Sequence, residues 1–327
     1  MARDTARGAE SDRFLVLSDS DLAGLGIAVG DIADAVESAI LDLARGVIRA
    51  VPKSALLPGD GRYMMTTLAS GDDPDMTIVK SVMVSPRNPG RGRPGIDGAI
   101  LVQDSETGAL RAVMQAGWVT AMRTAALSAL AARRLADPKA ETIGFIGAGV
   151  QARSHLETFA AMFPLTGITV YGRGQANIDR LCDMAREMGL TAQACATPRE
   201  TVEAADLIVS SVTLSYDIAP FVDARWLKPG AFAAITDLAL PWLPEAMTAF
   251  DSIHIDDAEQ EAASEAKLVA PDLVSGDLRT LIEAPAPTPG EARRAFVFRG
   301  LAIGDFALAR LACLRAEDAN AGQRIGF

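Results

Sequence analysis

Three features of the sequence predict an α/β chain, in which a Rossmann-type dinucleotide-binding domain is joined to a second, mixed α+β domain. An apolar strand, Glu141-Thr-Ile-Gly-Phe-Ile146, runs straight into Gly147-x-Gly149-x-x-Ala152 and then into a helical segment. From residue 141 onward strand-like and helix-like runs alternate, the pattern of a parallel sheet with covering helices. Ahead of it, residues 62–116 are rich in short strands separated by Pro, Gly and Asp turns.

Composition sets the frame for these features. The chain has 327 residues, 49% of them apolar, enough for a sizeable core and about two domains. Its formal net charge is −11, from 31 Lys and Arg against 42 Asp and Glu, which argues against nucleic acid or an anionic membrane as a partner. Cys182, Cys195 and Cys313 are odd in number and widely spaced, so neither a disulfide framework nor a metal site is expected. The first residues are charged and lack an apolar segment, and no run of eighteen apolar residues occurs. No signal peptide and no membrane span are expected, and a cytoplasmic location is.

Taken in order, residues 1–13 are polar and read as a disordered tail. Phe14-Leu-Val-Leu followed by Ser-Asp-Ser-Asp-Leu reads as a strand and a helix N-cap. Apolar positions Ile32, Val36, Ile40, Leu43 and Ala44 predict a helix over 29–46. Strands follow at Thr77–Val84, Gly98–Gln103 and Leu110–Gln115, with the basic loop Ser85–Gly95 either a solvated connector or an active-site rim. Residues 118–136 form a long Ala-rich helix ending at Asp137-Pro138. Strands are then expected at 142–147, 167–171, 206–211, 231–236 and 252–255, with helices between. The stretch 259–293 is charged, Pro-rich and poorly periodic; a strand at Ala295–Phe298 and a helix over about 303–316 close the chain. The dinucleotide domain is thus 126–299, and 14–125 with 300–327 make the other domain, with an active site expected in the cleft between them.

The turn at 147–152 has the residues a dinucleotide needs. Gly147 permits the tight turn, Gly149 lets backbone approach a pyrophosphate, and Ala152 lets the helix lie close to the strand. The helix N-terminus adds free N–H groups and positive dipole. The second strand ends in Tyr171-Gly172-Arg173-Gly174, without the Asp or Glu that accepts from the ribose 2′-hydroxyl of NAD. Arg173 favours NADP(H) over NAD(H) by pairing with a 2′-phosphate, unless it stacks on adenine or faces solvent.

Three charged residues stand out elsewhere. Lys80 lies inside the apolar run Met76–Val84, so it is either desolvated at a site or snorkels from an edge strand. Arg123 interrupts an Ala-rich helix, either for function or as an exposed helix charge. Asp237 follows the strand Ala231–Thr236 at a carboxyl end, where ligands bind in open α/β sheets, or where it caps a turn. His155 and His254 read as structural.

With these residues in place, the chain resembles the ornithine cyclodeaminase/mu-crystallin family over about 14–320. The matching stretches are Lys80, Arg87-Asn-Pro-Gly-Arg91-Gly-Arg-Pro-Gly, Gly98 to Gly108, Thr120-Ala-Met-Arg123-Thr124, Gly147-Ala-Gly149-Val-Gln151-Ala152, Thr213-Leu-Ser215 and Phe298-Arg-Gly300-Leu-Ala-Ile-Gly-Asp305. The resemblance implies a nicotinamide cofactor, a homodimer formed through the non-Rossmann domain, and a small α-imino or α-amino acid substrate. It implies that Lys80 and Arg123 bind the substrate carboxylate, with Lys53 a looser match and Gly300 alongside. Asp237 is implied as the acid/base, with Lys80 in the catalytic group. Thr124, Ala148, Val150, Gln151 and Thr213 are implied to join Gly147, Gly149 and Arg173 around the cofactor. The chain departs from the family at Leu238-Ala-Leu-Pro-Trp242-Leu-Pro-Glu245, where Trp242 is expected to change the wall or lid near the substrate, and at Met64-Met-Thr-Thr67. The function expected is an imine or ketimine reductase or amino-acid dehydrogenase. The alternatives are an ornithine-type cyclodeaminase with no net redox change, and a non-enzymatic binding protein.

Overall fold

A computed structural model describes residues 13–73, 75–213, 217–285 and 290–326. The expected tail lies outside these residues apart from Arg13, which is already in the first strand, paired with Gly326. Leu214–Ser215 and Ala286–Pro289 also lie outside the described residues.

The chain divides into two compact units, one made of 1–123 and 301–327, the other of 124–300. The first unit opens with β1 (Arg13–Leu17) and α1 (Asp19–Gly24), whose N-cap Ser18 forms a capping box with Asp21. Helix α2 (Val29–Ala44) buries Ile32, Val36 and Ile40. Strands β2 (Ile48–Leu56), β3 (Tyr63–Asp72), β4 (Asp75–Val84), β5 (Ile96–Gln103) and β6 (Leu110–Gln115) follow, then α3 (Ala116–Leu135), inside which the division falls. Asp19 caps α3, accepting from Trp118 N at 2.7 Å. A side chain at Gly117 would collide with that carboxylate, at 2.3 Å.

The second unit carries β7 (Thr142–Ile146), α4 (Val150–Ala160), β8 (Gly167–Tyr171), α5 (Gln175–Glu187), β9 (Thr191–Ala194), α6 (Pro198–Glu203), β10 (Leu207–Ser210), β11 (Phe232–Ile235), β12 (Ser252–Ile255), α7 (Ala258–Ala263), β13 (Val274–Asp277), α8 (Leu278–Glu283) and β14 (Arg294–Val297). The chain then returns to the first unit with α9 (Ala302–Ala319) and β15 (Gln323–Gly326).

The sheet of the first unit runs β15-β1-β6-β5-β4-β3-β2, antiparallel except for the parallel pair β1 and β6. Helix α9 packs on α2 and on β2, β3 and β4. The sheet of the second unit runs β13-β12-β14-β11-β10-β7-β8-β9, and every pairing in it is parallel. Its strands β7, β10, β11 and β14 are buried along their length or nearly so, as expected where both faces of a parallel sheet are covered. The order reverses between β7 and β10, the switch point of a Rossmann-type sheet.

The strands named from the sequence are all present, and interior β3 falls in the stretch 62–116 read as strand-rich without being singled out; the four strands that were not foreseen, β2, β9, β13 and β15, are all edges. Edge strand β2 holds Pro52, and its pairing with β3 shifts between Val51 and Ser54. A missing N–H is tolerated at an edge, so the run lacks the alternation that marks a strand. Strand β13 and helices α7 and α8 supply the ordered elements within 259–293. Among the described residues no helix is long and apolar enough to cross a membrane.

Candidate active site

In the second unit, the turn after β7 is fixed by sterics. Gly147 has φ +96, and a Cβ there would lie 2.7 Å from the Ser211 carbonyl oxygen. Its N–H donates to Tyr171 O at 2.8 Å, which joins the turn to the end of β8. Gly149 caps α4, and a Cβ at that position would meet nothing within 4 Å, so the backbone there faces open space. Ala152 is fully buried where α4 begins. On the other side, Gly172 packs against Ala148 N at 3.7 Å, measured from its ideal Cβ position.

Several buried polar atoms among the described residues of this unit have no hydrogen-bond partner, and Gln151 Oε1, Arg153 Nη1, Ser211 Oγ and Asp237 Oδ1 are those on α4 and just beyond β10 and β11. Buried polar groups are normally paired, so orphans next to a strand-glycine-helix turn point to a polar ligand. These residues fit a dinucleotide: room over Gly149, N–H groups at the start of α4, and donors and acceptors without partners. Val150 and Arg173 are exposed, Ala148 and Thr124 are buried, and Thr213 is exposed where it lines a small recess with Val212, Ile218, Asp237, Leu240 and Pro241.

Asp237 stands two residues beyond β11 and is only 2% exposed. Its Oδ2 accepts from Ser210 Oγ at 2.5 Å and from Val212 N at 3.0 Å. The carboxylate therefore does hold the turn after β10, but with one oxygen only. Burial pushes its pKa up to about 6, against the opposing pull of the Ser210 and Val212 hydrogen bonds. The next two residues, Leu238 (φ 59) and Ala239 (φ 57), are both left-handed. Each costs on the order of 1 kcal/mol or more in a residue with a Cβ, strain that accumulates at functional sites.

Trp242 is not the wall or lid expected from the sequence. It is 1% exposed and packs in the core against Phe250, with ring centroids 5.8 Å apart. A short turn from Asp237 to Trp242 directs the indole inward, and Leu240 and Pro241 face the recess instead.

The first unit holds the cations. Strand β4 alternates, burying Met76, Ile78, Lys80, Val82 and Val84. Lys80 thus occupies an inward position of an interior strand and is 0% exposed, which removes the reading of an edge-strand lysine. Arg123 is also buried, so it is no exposed helix charge. Both meet Asp305, in the first turn of α9. Lys80 Nζ donates to it at 2.6 Å, and Arg123 Nε lies 3.2 Å from Oδ1. Thr67, the cross-strand neighbour of Lys80, donates to Oδ2 at 3.1 Å. Burial lowers the Lys80 pKa to about 8; Asp305 opposes that shift, while Arg123 and Lys53 add to it. Lys53, at the irregular step of β2, is therefore close enough to Lys80 to be felt.

Gly300 has φ +95, and its N–H donates to Asp256 Oδ2 at 2.8 Å, so that donor is already engaged. Arg299, beside it, pairs with the buried Glu261 at 2.8 Å. His155 bridges Gln151 O at 2.7 Å and Ser128 Oγ at 2.8 Å, a structural role that agrees with the sequence reading. The loop 85–95 is tied at its base by Ser85 N to Gly95 O, and its arginines are exposed.

Sequence reasoning missed Asp305 and Ser210. Asp305 carried the same signal as Lys80, a lone charge in an apolar run, and a buried charge requires a partner of opposite sign. Ser210 ends the apolar strand β10 and had no such mark.

The model of the ornithine cyclodeaminase/mu-crystallin family matches residues 15–320. The chain is 24% identical over 309 residues to ketimine reductase mu-crystallin of Macropus fuliginosus, covering 93% of this chain and 95% of that protein. Its fold is similar to the Thermococcus litoralis Δ1-pyrroline-2-carboxylate reductase solved with NADH and L-proline (TM-score 0.86, 24% identity, 95% of this chain and 100% of that one). It is also similar to a lysine cyclodeaminase solved to explain recognition of L-lysine, L-ornithine and L-2,4-diaminobutyric acid (TM-score 0.84, 26% identity, 96% of each chain).

Proposed function

The chain belongs to the ornithine cyclodeaminase/mu-crystallin family, and from that premise we propose that it is an NAD(P)-dependent oxidoreductase acting at the α-carbon of a small α-imino or α-amino acid. The observation that carries this reading is Asp237: a buried carboxyl beyond a parallel strand of the dinucleotide sheet, with one oxygen fixed and the other without a partner.

Backbone groups of Gly147, Ala148, Gly149, Val150 and Gln151 would hold the pyrophosphate, with Thr124 and Thr213 as further cofactor contacts. The bound nicotinamide supplies or accepts the hydride. Lys80 and Arg123, with Lys53 adding its charge, bind the α-carboxylate and neutralise its charge. Asp237 manages the proton on the substrate nitrogen through Oδ1, donating it in reduction and taking it from the amine in oxidation. The left-handed pair Leu238–Ala239 fixes the exit from Asp237 and so holds the carboxyl in place.

An absorbance assay of NAD(P)H tests the reading, run with cyclic imino acids and with α-keto acids plus amines. Oxidation of the cofactor is expected. Ammonia release from diamino acids without net oxidation would instead support a cyclodeaminase. The departure at Leu238–Trp242 favours the reductase, because Leu240 and Pro241, which line the recess beside Asp237, bring no side chain that could hold a distal amine.

NADP(H) is the favoured cofactor in this proposal, because Arg173 stands where an NAD-selective fold carries an acid. Arg173→Asp is expected to reverse the preference, read as the ratio of kcat/KM for NADPH and NADH; an unchanged ratio removes Arg173 from the 2′-phosphate.

The proposal includes a homodimer. On the sheet of the first unit a cross-strand row, Val51–Leu68–Val79–Leu101–Val113–Val16, spans six strands without a charge. Leu101 is 41% exposed and Val51 52%. Copies of a chain with net charge −11 repel one another, and an uncharged row is where they can approach. Light scattering should give a dimer, and Leu101→Glu a monomer; a monomeric native chain overturns this part. Free thiols at Cys182, Cys195 and Cys313 support a cytoplasmic location.

A further inference from the structure

Asp305 is the charge in the apolar run Leu301–Leu308, and it is fully buried. Three elements converge on it: β4 through Lys80, β3 through Thr67 and α3 through Arg123. An ion pair of this kind has no clear advantage in stability over well-packed apolar side chains, so its presence calls for another reason. Two cations share this one carboxylate, and the trio retains a positive charge in a buried setting. Such a cluster is built to take a second anion. Gly304 contributes to it, because a Cβ there would press on Arg123 Cδ at 3.3 Å.

We propose that Asp305 is a positioning residue, which holds Lys80 and Arg123 in one arrangement so that both are ready for the substrate carboxylate, without touching substrate itself. This rests on the reductase reading for the identity of the anion.

Lys80 is faced by Asp305, Arg123 and Lys53, and of these only Asp305 keeps it protonated. Lysine carries its charge below its pKa. Removing the Asp305 carboxylate lowers that pKa further, so the charge is lost at lower pH and carboxylate binding weakens as pH rises.

The test is Asp305→Asn in the full chain, with kcat and KM for an imino acid measured from neutral to mildly alkaline pH, and with L-proline binding followed by calorimetry as a carboxylate probe. We expect the imino acid KM to rise about tenfold or more, the NAD(P)H KM to stay unchanged, and the alkaline limb of kcat/KM to move to lower pH. Asp305→Glu, which keeps the charge, should return the limb towards its native position. Native KM and an unmoved limb overturn the proposal, as does an equal loss of kcat at every pH. Should Asp305→Asn fail to fold, Thr67→Val removes one donor to the carboxylate and should raise KM about two- to fivefold; no change overturns the proposal. If the native enzyme reduces no imino acid, the reductase reading falls, and proline affinity of the native chain against Asp305→Asn still decides the role of Asp305.

Discussion

Asp237→Asn is expected to lower turnover by about two to four orders of magnitude, the usual worth of a positioned general acid or base. The KM for NAD(P)H should hardly move, because the glycine turn and the N-terminus of α4 remain intact. Asparagine keeps an acceptor for Ser210 and Val212 but cannot exchange a proton. With the native carboxyl titrating near pH 6, the reductive rate should fall as pH rises through that value, and the variant should lack this limb. Stability falls with rising pH as well, over a lower range. The folded chain holds the Asp237 proton more tightly than the unfolded chain, so this residue's ionisation erodes stability as pH climbs from the ordinary carboxylate range to about 6. The variant should therefore melt no lower than the native protein at neutral pH. A variant that turns over at the native rate would remove Asp237 from the chemistry.

Arg123→Ala is expected to raise the KM for the substrate acid about ten- to a hundredfold, the loss of one charge-assisted contact. Its effect on folding should be smaller than that of losing Lys80. Without Arg123, Lys80 and Asp305 still form a neutral pair at 2.6 Å. Without Lys80, Asp305 stays buried with only the more distant Arg123 and the Thr67 hydroxyl. Steady-state kinetics on Arg123→Ala, with thermal melts of both variants, checks the two statements. An unchanged substrate KM would separate Arg123 from carboxylate binding.

The legible parts of the sequence were those where one physical constraint acts alone. Gly147 could be read because a positive φ and the nearby Ser211 carbonyl both exclude a Cβ. Lys80 was legible as a charge inside an apolar run, but Val79 and Met83 make both faces of that run apolar, so the choice between a buried site and an edge strand is decided only by the interior place of β4. Edge strands were lost for the opposite reason. Strands β2, β9, β13 and β15 pair on one side only, so nothing forces apolar alternation on Ile48–Leu56 or Thr191–Ala194. Trp242 misled because a large aromatic beside Asp237 suits a pocket wall and a core equally well; the turn at Leu238–Ala239, which sends the indole inward, needs two left-handed residues that sequence alone does not favour. Asp305 lies 225 residues beyond Lys80, and their pairing is set by how α9 packs on β4, a long-range contact without a local signal.

Hydride transfer to the α-carbon is the central claim, and isotope tracing measures it most directly. The enzyme would be supplied with nicotinamide cofactor carrying deuterium at the transferable position, in each stereochemical form, together with a cyclic imino acid. The amino acid product would then be examined by mass spectrometry and NMR. The account predicts one deuterium at the α-carbon from one of the two forms. Amino acid formed without deuterium from either form, or no product from any imino acid, would contradict it.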